Sequence, residues 1–121
     1  MIEKENSKRY DLEDRTLEFA RCVRKFVAGL KKTPANMEDG KQLIRSSGSI
    51  GANYIEANEA LSKKDFLMRI KICRKEAKES RYWLKLVDTD GKEELEKQRE
   101  ALENEARELT HIFGAILTKS K

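Results

Sequence analysis

Between Gln42 and Ala60 the chain reads QLIRSSGSIGANYIEANEA, with its large residues at helical spacing and its middle made of Ser46, Ser47, Gly48, Ser49, Gly51, Ala52 and Asn53. Gly costs about 1 kcal/mol in a helix interior relative to Ala, and Ser costs less. A helix that keeps such residues at its centre must recover stability from its surroundings. Small side chains do this by letting another backbone come close, or by leaving room for buried polar bonds. The run therefore restricts the chain to folds in which this helix packs tightly on its neighbours. It points to packing and assembly rather than to chemistry.

Periodicity and punctuation extend the helical reading to the whole chain. A first helix, about 11–32, starts at Asp11 as N-cap, with Glu13 and Asp14 in its first turn and Leu17, Ala20, Val23, Val27 and Leu30 as its inward seam. Thr33-Pro34 offers an N-cap followed by Pro at the first helical position, so a second helix spans about 35–61, or starts nearer Glu38. Its seam is Leu43, Ser47, Ile50, Tyr54, Ala57 and Leu61. Ser62-Lys63-Lys64-Asp65 has capping-box form and opens a third helix, about 63–89, with Phe66, Ile70, Cys73, Ala77, Ser80, Leu84 and Val87 facing inward. Asp90-Gly91 makes a turn, with Gly91 in the left-handed conformation and Asp90 able to cap the fourth helix, about 92–118. Its seam is Leu95, Arg99, Leu102, Ala106, Leu109, Phe113 and Ile116. Short connections favour antiparallel neighbours. The expected fold is all-α, an up-down-up-down antiparallel four-helix bundle forming a single domain over residues 1–121.

Composition excludes several classes. No apolar run approaches the roughly 18 residues of a membrane span, and the start, MIEKENSKRYD, lacks the apolar stretch of a signal peptide. The expectation is a soluble, cytoplasmic protein with no membrane partner. Cys22 and Cys73 fall on apolar helix faces and read as buried reduced thiols. Phe19, Phe26, Ile55, Ile72, Trp83 and Leu86 fall outside the seams. Some widen the internal face, and the rest make a patch that favours a homo-oligomer.

Residues 42–47 (QLIRSS) and 49–57 (SIGANYIEA) resemble the signature of the 23S rRNA intervening-sequence protein family, also called four-helix bundle proteins. The segments SKKDF at 62–66, EAKES at 76–80 and YWL at 82–84 are similar to that family as well. The resemblance covers nearly the whole chain in helix order and is most specific over 42–66. It implies a small up-down bundle assembling as a ring-like homopentamer. Some members are encoded inside insertions within ribosomal RNA genes. A related branch serves as accessory protein of diversity-generating retroelements, associated with nucleic acid and a reverse transcriptase. No activity is established for the family as a whole.

Catalytic constellations are missing from the sequence. Glu108 and His111 have the Glu-x-x-His spacing of carboxylate-bridged metal sites, but such sites need two of these motifs, and His111 is the only His. It reads instead as a helix-end His beside the negative end of the dipole. One His cannot serve a Ser-His-Asp triad without a nucleophile turn, and no phosphate-loop motif occurs. The reading is non-enzymatic, with no metal and no cofactor. Arg45, Asn53 and Glu56 lie on helix 2 among the small residues and admit two readings, a polar ligand site or a network that fixes packing register. The second is favoured, so Arg45, Ser47, Gly48, Gly51, Asn53, Tyr54 and Glu56 are assigned to packing or oligomer contacts.

Charge supplies the functional lead. Residues 62–90 carry nine Lys/Arg against five Asp/Glu, a net +4 equal to that of the whole chain. Lys64, Met68, Lys71, Lys75, Lys78, Tyr82 and Lys85 follow a 3-4 spacing along one face of helix 3, with Arg74 and Arg81 beside them. Such a line can track a phosphate backbone, and its Tyr can stack a base. Glu93, Glu96, Glu100 and Glu103 have the same spacing on helix 4, and Lys75–Glu79, Glu93–Lys97 and Glu103–Arg107 are possible i,i+4 pairs. Three readings follow: a solvated face compensated by helix 4, an RNA or DNA interface, or a dock for an acidic protein. The function expected is a homo-oligomeric bundle binding nucleic acid through helix 3. The alternative is a protein-interaction scaffold, docking a reverse transcriptase or another protein.

Overall fold

The computed structural model describes residues 2–120, with side chains from Leu12 onward. These residues form four α-helices and no strand: α1 (Ile2–Ala28), α2 (Pro34–Asn58), α3 (Lys63–Leu86) and α4 (Glu93–Lys119). Each helix packs on its neighbours in sequence, and α1 also meets α4. Contacting residues run in opposite order on each pair. Gly51 lies on Thr16 and Gly40 on Val27; Asn53 meets Arg69 and Ser46 meets Ser80; Gly114 lies by Arg74 and Arg99 by Val87; Arg15 meets Glu105 and Gly29 lies by Leu95.

Helix starts follow the local chemistry at two of the three loops. The Thr33 side chain accepts from the Asn36 amide with Pro34 at the first helical position, so α2 starts there and not near Glu38. The Ser62 hydroxyl likewise accepts from the Asp65 amide and starts α3. The α3–α4 loop departs from expectation. Asp90 and Gly91 both hold positive φ (59° and 70°), Lys92 occupies the N-cap position without a side-chain bond, and Asp90 caps nothing on α4. The turn is closed by Lys92 N–H donating to the Thr89 carbonyl and by the Thr89 hydroxyl donating to Glu96. Nor does Asp11 start α1: the helix runs from Ile2, since no Pro or Gly interrupts residues 2–10, and the Asp11 side chain lies outside the described residues.

The core draws on all four helices, with Tyr54 of α2 and Phe113 of α4 meeting at 5.9 Å between ring centroids. On α1 the buried face is Leu12, Thr16, Phe19, Ala20, Val23 and Phe26, with Leu30 buried just past its end, so Ala20, Val23 and Leu30 of the expected seam are buried. The face is still turned from that seam: Leu17 is 50% exposed, while Phe19 and Phe26 are buried. The 3-4 spacing allowed both faces, and burying the two aromatic rings removes more apolar area than burying Leu17. Leu61 is 99% exposed because α2 ends before it, at Asn58. No described helix is long and apolar enough to cross a membrane.

Asn36 was invisible to pattern reading. Buried in the first turn of α2, it donates to the Lys31 and Asp88 carbonyls and accepts from the Asp88 amide, all at 2.9 Å. Two loops at one end of the molecule are tied by a single side chain.

Candidate nucleic-acid interface

The small-residue run of α2 makes its contacts within the chain. A Cβ built on Gly51 would sit 2.8 Å from the Thr16 Oγ1 and 3.2 Å from its Cβ. Ser46 and Ser80 share a hydrogen bond of 2.9 Å in the buried α2–α3 seam, and the Ser47 hydroxyl donates back to the Ile44 carbonyl. Tyr54 is buried, and Gly48 lies beside Arg24. The trio weighed as a polar site is not brought together. Asn53 donates to Ser49 and accepts from Arg69 Nη1 at 3.0 Å, bridging α2 to α3, while Arg45 and Glu56 are exposed. Arg69, the partner of Asn53, was missed by the stripe argument because it lies off the 3-4 line.

On α3 the line found by spacing is a face. Lys64, Lys71, Arg74, Lys75, Lys78, Tyr82 and Lys85 are exposed, and Arg81 is half-buried. A groove of ≈ 870 Å³ runs beside it between α3 and α4, walled by Lys71, Arg74, Lys75 and Lys78 on one side and Thr110, His111 and Gly114 on the other. It continues into a second stretch of ≈ 420 Å³ where Arg81, Tyr82 and Lys85 face Arg107 and His111. At its floor the Arg74 side chain passes Gly114, with Nε 3.6 Å from where a Cβ would stand. Lys64 lies before the groove, near the start of α3.

The acidic stripe of α4 does not face the groove where the cations are densest. Glu93, Glu96, Glu100 and Glu103 line their own surface depression with Lys97 and Asn104. The same 3-4 line then continues as Arg107, His111, Gly114 and Thr118, so the stripe changes sign half-way along the helix. Glu79 is the one carboxylate among the described residues that line the groove. Ion pairs among the described residues join Arg15 to Glu105 and Glu108, Lys41 to Glu38, Lys97 to Glu93 and Arg99 to Glu96, and none holds a groove cation. Of the three i,i+4 pairs expected, only Glu93–Lys97 forms; Arg107 donates to Asn104 instead. His111 also sits differently from expectation. It lies on the groove side of α4, before its last turns, while Glu108 reaches Arg15 of α1, so the two share no site.

Three groups feel their burial. Desolvation raises Glu76 above the usual carboxylate range, reinforced by Glu79 and opposed by Lys75 and Arg45. Burial pushes the Cys73 thiol up to about 12, and it donates to the Ile50 carbonyl. Both cysteines are free; Cys22, in the α1–α4 groove with Phe19, Ala101 and Leu102, is also raised by burial and then by Glu18.

A family profile described as 23S rRNA-intervening sequence protein matches residues 8–115. The chain belongs to that family. A solved structure from Bacteroides thetaiotaomicron, a protein of unknown function from the S23 ribosomal protein family, is 33% identical, with a TM-score of 0.73 over 88% of this chain and 97% of that one. Among curated proteins no relative matches. The region matched to the 23S rRNA-intervening sequence family spans α2, α3 and most of α4, so both walls of the groove lie within it.

Proposed function

We propose that the protein is a non-enzymatic nucleic-acid-binding bundle whose basic α3 face meets the phosphate backbone. The observation that carries this reading is the row of exposed Lys71, Arg74, Lys75, Lys78 and Lys85, none of which forms an ion pair among the described residues, whereas ion pairs do form on the other helices. Uncompensated cations in a line bind polyanions by releasing condensed counterions, which makes the affinity salt-dependent. The test is titration with labelled structured RNA at several salt concentrations. Binding in the micromolar range at low salt is expected, about tenfold or more weaker after Lys71, Lys75 and Lys78→Glu. No binding at low salt, or no effect of the triple variant, sinks the reading.

The same reading takes the helices as an up-down-up-down bundle, supported by the opposite order of contacting residues on each pair, and takes the protein as cytoplasmic. It also takes the bundle as a homo-oligomer, a pentamer by resemblance to the family. Half-exposed Leu17, Ile55 and Leu86 support this, since apolar groups left on a monomer's surface favour association. A light-scattering mass near 14.0 kDa, that of one chain, would refute it. Docking of a protein such as a reverse transcriptase remains the alternative occupant of the assembly, and a nuclease-insensitive pull-down dominated by one protein would favour it.

A further inference from the structure

We propose that the ligand is a single strand, held in the groove between α3 and α4, with Arg107 of α4 as the cation of the second wall, His111 beside it, and Tyr82 as the stacking surface. This rests on the nucleic-acid reading above and narrows it. Three observations carry it.

The first is shape. Proteins that read a duplex insert a protruding helix or ribbon into its groove. Here the cations line the α3 wall of a concavity and Arg107 stands on its α4 wall, and a concavity between two helices accepts one backbone. From Lys71 to Lys85 the helix rises about 21 Å at about 1.5 Å per residue, room for about six stacked nucleotides at about 3.4 Å each.

The second is the aromatic ring. Tyr82 is 57% exposed between Arg81 and Lys85, and Trp83 packs against it edge-on at 5.1 Å between centroids. A ring held this way offers a face to an unpaired base. In a duplex the base faces are already stacked on each other, so the ring would find a partner only at an end.

The third is an unmatched donor. Arg81 lines the same groove, and its Nε–H has no acceptor among the described residues; that atom is shielded from solvent here, so it meets a ligand once the side chain turns into the groove. Phosphate and base-edge oxygens are acceptors, and guanidinium groups suit both.

The experiment is fluorescence anisotropy with a labelled 12-nucleotide RNA strand and the same sequence closed into a hairpin duplex, at 50 and 200 mM salt. The strand should bind at least tenfold tighter than the duplex. Arg107→Glu should weaken it at least fivefold, as Lys75→Glu does, although the two lie on different helices. Tyr82→Ala should weaken the strand with an unchanged salt slope, because stacking releases no counterions, and Tyr82→Trp should restore it. Lys97→Glu, among the α4 acids, is the control and should leave binding unchanged; circular dichroism reports the fold of each variant. Equal or tighter duplex binding overturns the inference and leaves the α3 face standing. So does an indifferent Arg107→Glu or Tyr82→Ala beside a sensitive Lys75→Glu. Failure of both ligands to bind at 50 mM overturns the α3 reading and this inference with it.

Discussion

Two helix–helix seams of this protein place a glycine at the crossing and use it in opposite ways. Where α1 meets α2, Gly51 lets the backbones approach until an added Cβ would collide with Thr16 at 2.8 Å. Where α3 meets α4, Gly114 has only the flexible end of Arg74 nearby, at 3.6 Å, and the two helices leave a groove. The first seam is apolar and closed by small residues. The second is packed through its core residues but carries Lys and Arg along its outer rim, whose charged ends stay in water beside the groove. The same residue type therefore marks the tightest contact in one place and a cleft in the other, and only its neighbours tell which.

The largest test of that contrast is chemical. Cys73 lies in the closed α2–α3 seam, bonded to the Ile50 carbonyl, with its thiol raised to about 12, whereas Cys22 is partly exposed in the α1–α4 groove. At pH 8 a raised thiol carries far less thiolate, about a thousandfold less for three pKa units. Thiol titration of the native protein should label Cys22 and leave Cys73 untouched until denaturant is added. Rapid labelling of both would show that the seam opens.

Gly51→Leu should come next, costing about 3 kcal/mol in urea unfolding from overpacking. Thr16 cannot turn aside cheaply, because its hydroxyl donates to the Leu12 and Glu13 carbonyls. A loss under about 1 kcal/mol would mean the seam is looser than its distances. Gly114→Ala should do the reverse and stabilise by about 0.5–1 kcal/mol, since a Cβ fits at ordinary contact distance and Ala is the better helix former. A loss of stability there would mean that the groove floor is already full.

The smallest effect concerns Glu76. Its carboxyl holds a proton more tightly in the folded state, so its contribution is full below the ordinary carboxylate range and is lost as pH rises through the raised value. Glu76→Gln should then gain within about 0.5 kcal/mol at pH 7 and nothing near about pH 3, where the wild-type group is already neutral. A gain that persists at low pH would place its cause in packing instead.

Much of the fold was legible before any coordinates. Thr33-Pro34 and Ser62 name their helix starts because capping depends on one side chain and an amide three residues on. Ile70, Cys73, Ala77, Ser80, Leu84 and Val87 read correctly as a buried line because their 3-4 spacing runs unbroken along helix 3. Helix 1 read correctly at Ala20, Val23 and Leu30 but not at Leu17, since Leu17 and Phe19 compete for the core on two adjacent faces. The basic line of α3 was likewise readable. Its second wall was not, although the spacing from Glu103 to Arg107, His111 and Gly114 held the signal: a stripe that changes sign must face different surroundings at its two ends.

The sequence alone determined the four helices, the starts of the last three and the charged face of α3, because these depend on residues within a few positions of each other. Tertiary structure decided which side of α1 is buried, where α4's acids point, that Asn36 joins two loops, and that Gly51 closes a seam while Gly114 floors a cleft. Each of those outcomes depends on which residue of a distant helix arrives opposite, and spacing along one helix carries no record of that.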